Sequence, residues 1–360
     1  MERAYNFNAG PSALPYEVLK RAQQELLNFQ NTGMSIMELS HRSKEYEGVH
    51  NKAKHKLRKL MNIPETHDIL FLQGGASLQF SMVPMNLLTE GKVANYVLTG
   101  AWSEKALKEA QKCGDTHVAA SSKAANYTYI PSLAEIKLSE RAAYLHITSN
   151  NTIFGTQWHE FPSTSIDLVA DMSSDILSRE VNVGQFALIY AGAQKNLGPS
   201  GVTVVIIRRD ILGSSPDYLP TMMNYSTYSK SNSLYNTPPT FSIYMLSLVL
   251  EWLDEQGGIS AIEKRNKEKA KILYDCIDES RGFYCPHAEK KSRSFMNVTF
   301  TLRNNELTKE FLTEAKQRGF VGLAGHRSVG GCRASLYNAV SIEACEALAQ
   351  FMKEFQRKFS

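Results

Sequence analysis

Short apolar runs alternate with segments of helical periodicity along most of this chain. Apolar runs of four to eight residues predict buried strands, and apolar residues repeating every three or four positions predict amphipathic helices. The predicted strands cover residues 68–72, 93–98, 142–147, 168–170, 186–190 and 202–207, and helices at 76–88 and about 103–113 follow the first two.

The run at 202–207 is rich in Val and Ile and has almost no polar alternation. This composition is typical of a strand covered by other elements on both faces. Because strand-like and helix-like segments alternate, we predict an α/β domain with a largely parallel sheet.

The order of predicted strands and helices changes in the last third of the chain. A helical pattern at 241–254 ends at Gly257-Gly258, and a second helix runs from 259 to about 280. The segments 295–302, 306–318, 320–323, 333–336 and 342–355 then predict strand, helix, strand, strand and helix. We interpret this part as a smaller α+β domain, with a boundary near residue 265 inside the linking helix.

Charge and composition narrow the classes of partner. The formal net charge of +4 is too weak to indicate nucleic acid. The densest basic run, 52–59, has its apolar neighbours at helical spacing, which indicates the solvated face of a helix. The longest apolar stretch, 244–253, is shorter than the ~20 residues of a membrane span. We therefore expect neither a nucleic-acid nor a membrane partner.

The cysteines and the first residues bear on the compartment. Five cysteines occur, with no CxxC pair, so the sequence predicts neither a disulfide framework nor a metal site. Residues 1–15 lack the apolar core of a signal peptide. A reducing cytoplasmic location is the expectation that follows.

Two ionisable residues follow predicted buried strands. Lys195 lies among small residues, and such surroundings can desolvate an amine and lower its pKa, although most lysines are simply exposed. Asp171 ends another apolar strand. A turn or helix-capping role for this carboxylate is about as common as contact with a ligand.

A third segment, Gln73-Gly-Gly-Ala-Ser, joins a predicted strand to a helix. Free N–H groups at such a helix start attract phosphate, but an ordinary tight turn would look similar, and neither the P-loop nor the GxGxxG pattern is present. Trp102 also follows a strand. It could stack on a flat ring, although core packing is the commoner fate of a single tryptophan.

Three groups of cationic residues complete the candidates: His41-Arg42, His326-Arg327 in a glycine-rich stretch, and Arg333. Any one pair is typical of a surface ion pair. Because a guanidinium grips carboxylate or phosphate through two N–H groups, the three together indicate an anion-binding site.

Several motifs, in order along the chain, resemble the class V aminotransferases of the phosphoserine aminotransferase family, pyridoxal-phosphate enzymes of fold type I. The motifs are FNAGPSALP at 7–15, MELSHRS at 37–43, FLQGGASLQF at 71–80, AGAQKNLGP at 191–199, NTPPT at 236–240 and GHRSVGGCR at 325–333. The resemblance implies a large α/β domain over 16–265, with a mostly parallel seven-stranded sheet. Residues 1–15 and 266–360 would form the smaller α+β domain.

The resemblance also implies an activity. It is reversible amino transfer between O-phospho-L-serine and 2-oxoglutarate, which gives 3-phosphohydroxypyruvate and L-glutamate and serves serine biosynthesis. A second family substrate is 4-phosphohydroxy-L-threonine, on the route to vitamin B6. The family is an obligate homodimer with shared sites.

Roles for individual residues follow only from this resemblance. Lys195 would hold pyridoxal phosphate covalently and move protons, and Asp171 would pair with its ring nitrogen. Trp102 would stack on the ring and Thr152 would bond its phenolic oxygen. Ala76, Ser77 and Gln194 would hold the cofactor phosphate, with Asn236 and Thr237 reaching it from the partner subunit. The substrate's distal group would be bound by His41, Arg42, His326 and Arg327, and its α-carboxylate by Arg333.

One departure and two alternatives remain. Some family members carry arginine where this chain has Ser77, which leaves the positive charge around the distal phosphate in question. A cysteine desulfurase would share the fold but needs a reactive cysteine, for which Cys332 is the only candidate near the proposed site. A non-catalytic phosphate-ligand binder would explain the glycine turn and the arginines without Lys195.

Overall fold

The computed structural model describes residues 3–359, in which helices and strands alternate. The helices are α1 (Tyr16–Glu25), α2 (Lys44–Leu60), α3 (Gly75–Leu87), α4 (Ala101–Ala110), α5 (Tyr225–Lys230), α6 (Thr240–Glu255), α7 (Gly258–Glu279), α8 (Asn305–Gln317) and α9 (Ile342–Phe359). The strands are β1 (Tyr5–Asn6), β2 (His67–Leu72), β3 (Val93–Leu98), β4 (Thr116–Ser121), β5 (Ala142–Thr148), β6 (Asn150–Asn151), β7 (Thr156–Gln157), β8 (Asp167–Asp171), β9 (Leu188–Gly192), β10 (Thr203–Arg208), β11 (Tyr284–Pro286), β12 (Asn297–Leu302), β13 (Phe320–Val321) and β14 (Cys332–Ser335).

A seven-stranded sheet forms the centre of the molecule, in the order β2-β10-β9-β8-β5-β3-β4. Only β10 runs antiparallel to its neighbours. The expected mostly parallel sheet is therefore confirmed. The apolar pattern predicted six of its strands and missed β4, an edge strand whose residues are mostly exposed or half-buried.

Both faces of this sheet are covered, which explains the continuous apolar runs. In β8, Leu168 and Ala170 belong to one core, while Val169 belongs to another on the opposite face. Residues of α2 and α6 pack into the first core, and residues of α3 and α4 pack into the second. Within residues 3–359, no helix combines the length and apolar character needed to cross a membrane.

The C-terminal part has its own core. Strands β11, β12 and β14 form an antiparallel sheet. A separate parallel pair, β1–β13, joins the start of the chain to the C-terminal part through Tyr5 and Phe320. Phe7 packs in the same core as Phe300. Helix α7 contributes Ile262 to the large core and Leu273 to the small one. The division at 16–265 against 1–15 with 266–360 stays a prediction, in keeping with this packing.

Candidate active site

A cavity of about 360 Å³ opens where several strands of the large sheet end. In an open parallel sheet, the loops beyond the carboxyl ends of the strands are the usual ligand site. Nine of the candidate residues line this one cavity: Ala76, Ser77, Trp102, Thr152, Asp171, Gln194, Lys195, His326 and Arg333.

Lys195 lies in the turn after β9, and its Nζ donates a hydrogen bond to Oγ1 of Thr152 at 2.8 Å. Burial lowers the pKa of the Lys195 amine to about 8, with the Asp171 carboxylate opposing this shift and the Arg333 guanidinium adding to it. A pKa near 8 gives a larger unprotonated fraction near neutral pH than the ordinary value of about 10.5 would, and a nucleophilic amine must be unprotonated.

Glycines bring the backbone close to this lysine. A Cβ at Gly10, where φ is +140°, would lie 3.3 Å from Cγ of Lys195. A Cβ at Gly192 would lie 2.9 Å from Oε1 of Gln194. These two positions therefore allow Lys195 and Gln194 to adopt their observed conformations.

Asp171 is the last residue of β8 and is only 5% exposed. Burial raises the pKa of its carboxyl group, while the hydrogen bond from Ser173 N–H to Oδ1 (2.9 Å) and the charge of Lys195 act in the opposite direction. Among residues 3–359, the carboxylate forms no ion pair within 4 Å. A buried carboxylate without an ion-pair partner favours a cationic or N–H-bearing ligand.

The start of α3 is built to receive an anion. Gly74 and Gly75 have φ angles of +87° and +66°, and a Cβ at Gly74 would lie 2.5 Å from the Leu78 side chain. No side chain caps this helix start, and Gly75, Ala76 and Ser77 line the cavity. The free N–H groups of the first turn and the helix dipole therefore favour a phosphate.

Two residues that line the cavity each have a buried donor without a hydrogen-bond partner in the described protein: Trp102 at Nε1 and Arg333 at Nε. The Arg333 guanidinium is held by Thr152, whose carbonyl accepts from Nη1 at 3.3 Å. Since unpaired buried donors are costly, an acceptor-rich ligand in the cavity would offset their desolvation.

Four candidates lie in a second group outside this cavity, which we call the outer cluster: His41, Arg42, Asn236 and Thr237. Oγ1 of Thr237 is 3.3 Å from Nδ1 of His41, and Nε of Arg42 donates to Nε2 of His41 at 3.4 Å. Asn236 donates to Oε1 of Gln73 at 3.2 Å. The structure thus brings these four together, but not with Lys195 of the same chain.

Arg327 occupies neither group. It is exposed next to His326, and it does not line the cavity although His326 does. The sequence reasoning also missed lining residues. Asn150 and Ser173 face the cavity, and the position of Ser173 two residues after Asp171 was the one signal available for it.

The comparisons with known proteins agree with this geometry. The family model for class-V aminotransferases matches residues 4–348. The chain belongs to the class-V aminotransferases. It is 76% identical over 360 residues to the phosphoserine aminotransferase of Geobacillus kaustophilus (strain HTA426), with 100% of both chains covered. This degree of identity over the full length also shows membership of the phosphoserine aminotransferase family.

Solved structures of this class-V family have the same fold. The phosphoserine aminotransferase from Bacillus circulans subsp. alkalophilus is 60% identical, with a TM-score of 0.99 and 100% of both chains covered. The phosphoserine aminotransferase from Trichomonas vaginalis, a PLP-bound structure, is 41% identical, with a TM-score of 0.93 over 98% of this chain and 100% of that one. Fold type I, expected from the sequence, is therefore confirmed.

Proposed function

We propose that this chain is a pyridoxal-phosphate enzyme that transfers an amino group between O-phospho-L-serine and 2-oxoglutarate, giving 3-phosphohydroxypyruvate and L-glutamate. The observation that carries this is the half-buried Lys195, whose amine shares one cavity with the buried Asp171 carboxylate. Full-length identity to phosphoserine aminotransferases supports the choice of substrate. In a cell, the reverse direction serves serine biosynthesis, and 4-phosphohydroxy-L-threonine is the proposed second substrate.

The cavity fits the cofactor at four points. The uncapped start of α3 at Ala76 and Ser77, with Gln194 beside it, would receive the phosphate. Asp171 would face the ring nitrogen, and Trp102, whose Nε1 has no hydrogen-bond partner, would lie against the ring. Thr152 would give a hydrogen bond to the phenolic oxygen. Each expected contact corresponds to a polar or aromatic group that lines this cavity.

When bound, pyridoxal phosphate supplies an electrophilic carbon for the amine and a ring that accepts electrons from the substrate's α-carbon. Lys195 provides the amine that holds the cofactor and, once released, takes and returns the α-proton as a general base and acid. Asp171 would keep a proton on the ring nitrogen, because a negative carboxylate beside that nitrogen favours its positively charged form. Thr152 orients Nζ of Lys195 through the 2.8 Å hydrogen bond.

Substrate anions are proposed to bind at the cationic residues that line the cavity. Arg333 would grip the α-carboxylate with its guanidinium fork, whose Nε has no partner among the described residues. His326, with Arg327 beside it, would receive the distal phosphate or carboxylate. Burial and the nearby Arg333 guanidinium lower the pKa of His326, and the negative charge of a bound substrate would raise it again.

We propose a homodimer with shared sites. No residue of the outer cluster lines the cavity of its own chain, and a two-fold partner would bring these residues to the other subunit's cavity. Met37 (56% exposed) and Tyr235 (53%) flank this cluster, and exposed apolar side chains of this size favour burial against another chain.

The cysteine desulfurase alternative is disfavoured by the state of its candidate nucleophile. Cys332 is fully buried in β14, and burial raises the pKa of its thiol to about 12. A reactive cysteine needs access and a low pKa instead. No cysteine lines the cavity. All five cysteines are free, and this supports a proposed reducing cytoplasmic location.

One experiment distinguishes the proposed enzyme from the alternative, a non-catalytic phosphate-ligand binder. The purified protein should be yellow with pyridoxal phosphate, and borohydride should fix the label to the peptide containing Lys195. Lys195→Ala should lose both the covalent label and transamination while keeping its fold and dimer, and Lys108→Ala, which removes an exposed lysine, should behave as wild type. A colourless protein after addition of the cofactor, or turnover near wild type in Lys195→Ala, would favour the binder.

A further inference from the structure

Three consecutive carbonyl groups follow Asp171 in the buried segment 172–178, at Ile176, Leu177 and Ser178. Leu177 has a left-handed φ of 61°, although it is neither glycine nor exposed. Such a conformation is unfavourable for a branched residue and persists only where the surroundings hold it. The surrounding contacts are three asparagine side chains, one for each carbonyl.

The first asparagine is the neighbour of Lys195. Nδ2 of Asn196 donates to the carbonyl of Ile176 at 3.1 Å, and its Oδ1 accepts from the backbone N–H of Asn338 at 3.0 Å. Asn196 is 5% exposed. Its amide therefore joins the segment that follows Asp171 to the turn that carries Lys195. Through Asn338, it also joins both to the C-terminal part of the chain.

The second and third asparagines come from the C-terminal part of the chain. Nδ2 of Asn338 donates to the carbonyl of Leu177 at 3.0 Å. Nδ2 of Asn266, on α7, donates both to the carbonyl of Ser178 and to Oδ1 of Asn338, each at 2.9 Å. These contacts also fix the orientation of both amides, because each nitrogen faces an oxygen. We call Asn196, Asn266 and Asn338 the asparagine clasp.

A buried lysine anchors the far side of the clasp. Nζ of Lys269, 1% exposed on α7, donates to the carbonyls of Leu336, Tyr337 and Val340 at 2.9, 2.8 and 3.0 Å. An ammonium group has three N–H donors, and all three are used here. The loop that contains Asn338 and follows the strand of Arg333 is thereby fixed to α7.

We propose that the asparagine clasp positions the catalytic groups, by holding the Lys195 turn, the segment after Asp171 and the strand of Arg333 in one fixed arrangement. None of the three asparagines needs to touch the substrate for this role. Ladder pairing between β8 and β9 extends only to Asp171 and Tyr190, so beyond that point other contacts must set the path of both loops. The assignment rests on the proposed roles of Lys195 and Asp171.

The expected consequence is a change in the surroundings of Nζ when the clasp is opened. A loosened Lys195 turn lets water reach the amine, so its pKa should rise from about 8 towards its ordinary value. Chemical steps are sensitive to misplacement, and an error of about 1 Å can reduce a rate by about 100-fold. Binding of substrate anions should be affected less.

The test compares Asn196→Ala and Asn338→Ala with Asn95→Ala. Asn95 is a matched control, since it is fully buried in β3 and donates to the Val93 carbonyl and Ser139 Oγ, away from the cavity. In cofactor-free protein, the pH dependence of acylation of Lys195, followed by peptide mass spectrometry, gives the pKa of its amine. We expect a rise of about one unit in both clasp variants and none in the control. With cofactor, kcat should fall about tenfold or more with KM nearly unchanged.

Equal losses of thermal stability in all three variants, with an unchanged Lys195 pKa and kcat in the clasp variants, would show that the asparagines are only structural. If Asn338→Ala does not fold, Asn266→Ala is the alternative, because it removes the Asn266 amide and keeps the Asn196–Asn338 pair. This variant should raise the Lys195 pKa and lower kcat as well, but by less. Because the pKa is measured without cofactor, failure of the clasp is distinguishable from failure of the proposed reaction, which borohydride labelling tests.

Discussion

Lys195 and Thr152 are 43 positions apart in sequence, yet Nζ of the lysine donates to Oγ1 of the threonine at 2.8 Å. This bond holds the amine in a buried site where its pKa is lowered to about 8. The protein therefore carries an amine that is easy to deprotonate, at the expense of burying its charged form. Functional sites often combine such a shift with reduced stability.

Replacing Lys195 should stabilise the cofactor-free protein. The folded-state pKa of about 8 lies below the ordinary value of about 10.5, so the folded state binds fewer protons between these two pH values. Stability consequently rises with pH through this window, and below pH 8 the full penalty, roughly 3 kcal/mol at most, is present. We expect Lys195→Met to gain about 1–3 kcal/mol at pH 7 and little above pH 10.

Urea unfolding at pH 7 and pH 10 measures this difference, with Lys108→Met as the control for loss of an exposed lysine. An equal effect of Lys195→Met at both pH values would show that the charge of Lys195 is not the source of the change.

Asp171→Asn should still bind pyridoxal phosphate but lose the chemical step. A neutral amide cannot stabilise a protonated ring nitrogen, so kcat should fall by about 100-fold or more while KM changes little. Steady-state kinetics and cofactor binding give the two quantities separately. Asp167→Asn, at the other end of β8, is the control and should keep its kcat. A weaker KM with unchanged kcat would contradict the proposed role of Asp171.

Mixed dimers test the sharing of sites. Lys195→Ala and Thr237→Ala should each be impaired as homodimers. Because Thr237 would serve the partner's cavity, a hybrid of the two should contain one site with both defects and one intact site. After the subunits are mixed and reassembled, each hybrid dimer should have up to about half of the wild-type activity. Tagging the two variants differently allows the hybrid to be separated before its activity is measured. No recovery in a verified hybrid would mean that Thr237 acts within its own chain.

The two histidines should distinguish phosphate from carboxylate. A phosphate offers three acceptor oxygens and more charge, and a hydrogen bond to a charged group contributes about 1.5–3 kcal/mol, or roughly ten- to a hundredfold in binding. His41→Ala with His326→Ala should therefore weaken the phosphoserine half-reaction at least about tenfold more than the glutamate half-reaction.

Single-turnover conversion by each amino acid, followed by cofactor absorbance, measures this selectivity. The control is His55→Ala, which removes an exposed histidine of α2. Equal losses with both substrates would assign selectivity to Arg42, Arg327 or the size of the pocket.

The direction of a strand is a property that the apolar pattern did not contain. The run at 202–207 was correctly predicted as buried on both faces, and β10 does form there, but it is antiparallel to β2 and β9. A run of Val and Ile reports burial alone. Pairing direction depends instead on how the connections lead into and out of the strand.

Lys54 shows the same limit for a charged residue. Helical periodicity placed the basic run 52–59 on a solvated face, and Lys52 and Lys59 are indeed exposed. Lys54 instead donates to Oδ1 of Asn232 at 2.6 Å, and burial lowers its pKa to about 8. The element that covers Lys54 lies far along the chain, so helical spacing within α2 could not reveal it.

The sequence by itself determined the positions of most strands and helices and, through the motifs around Lys195 and Arg333, the family. Local periodicity and local motifs are sufficient for this, because each depends on neighbouring residues. The resemblance placed Lys195, Asp171 and Arg333 at one site, but the cavity that they share, and the position of His41 and Thr237 outside it, were decided by the tertiary structure. The tertiary structure also placed three distant asparagines on consecutive carbonyls. Burial and hydrogen bonding between remote segments depend on how whole elements pack, and a local sequence pattern does not show which remote segments will come into contact.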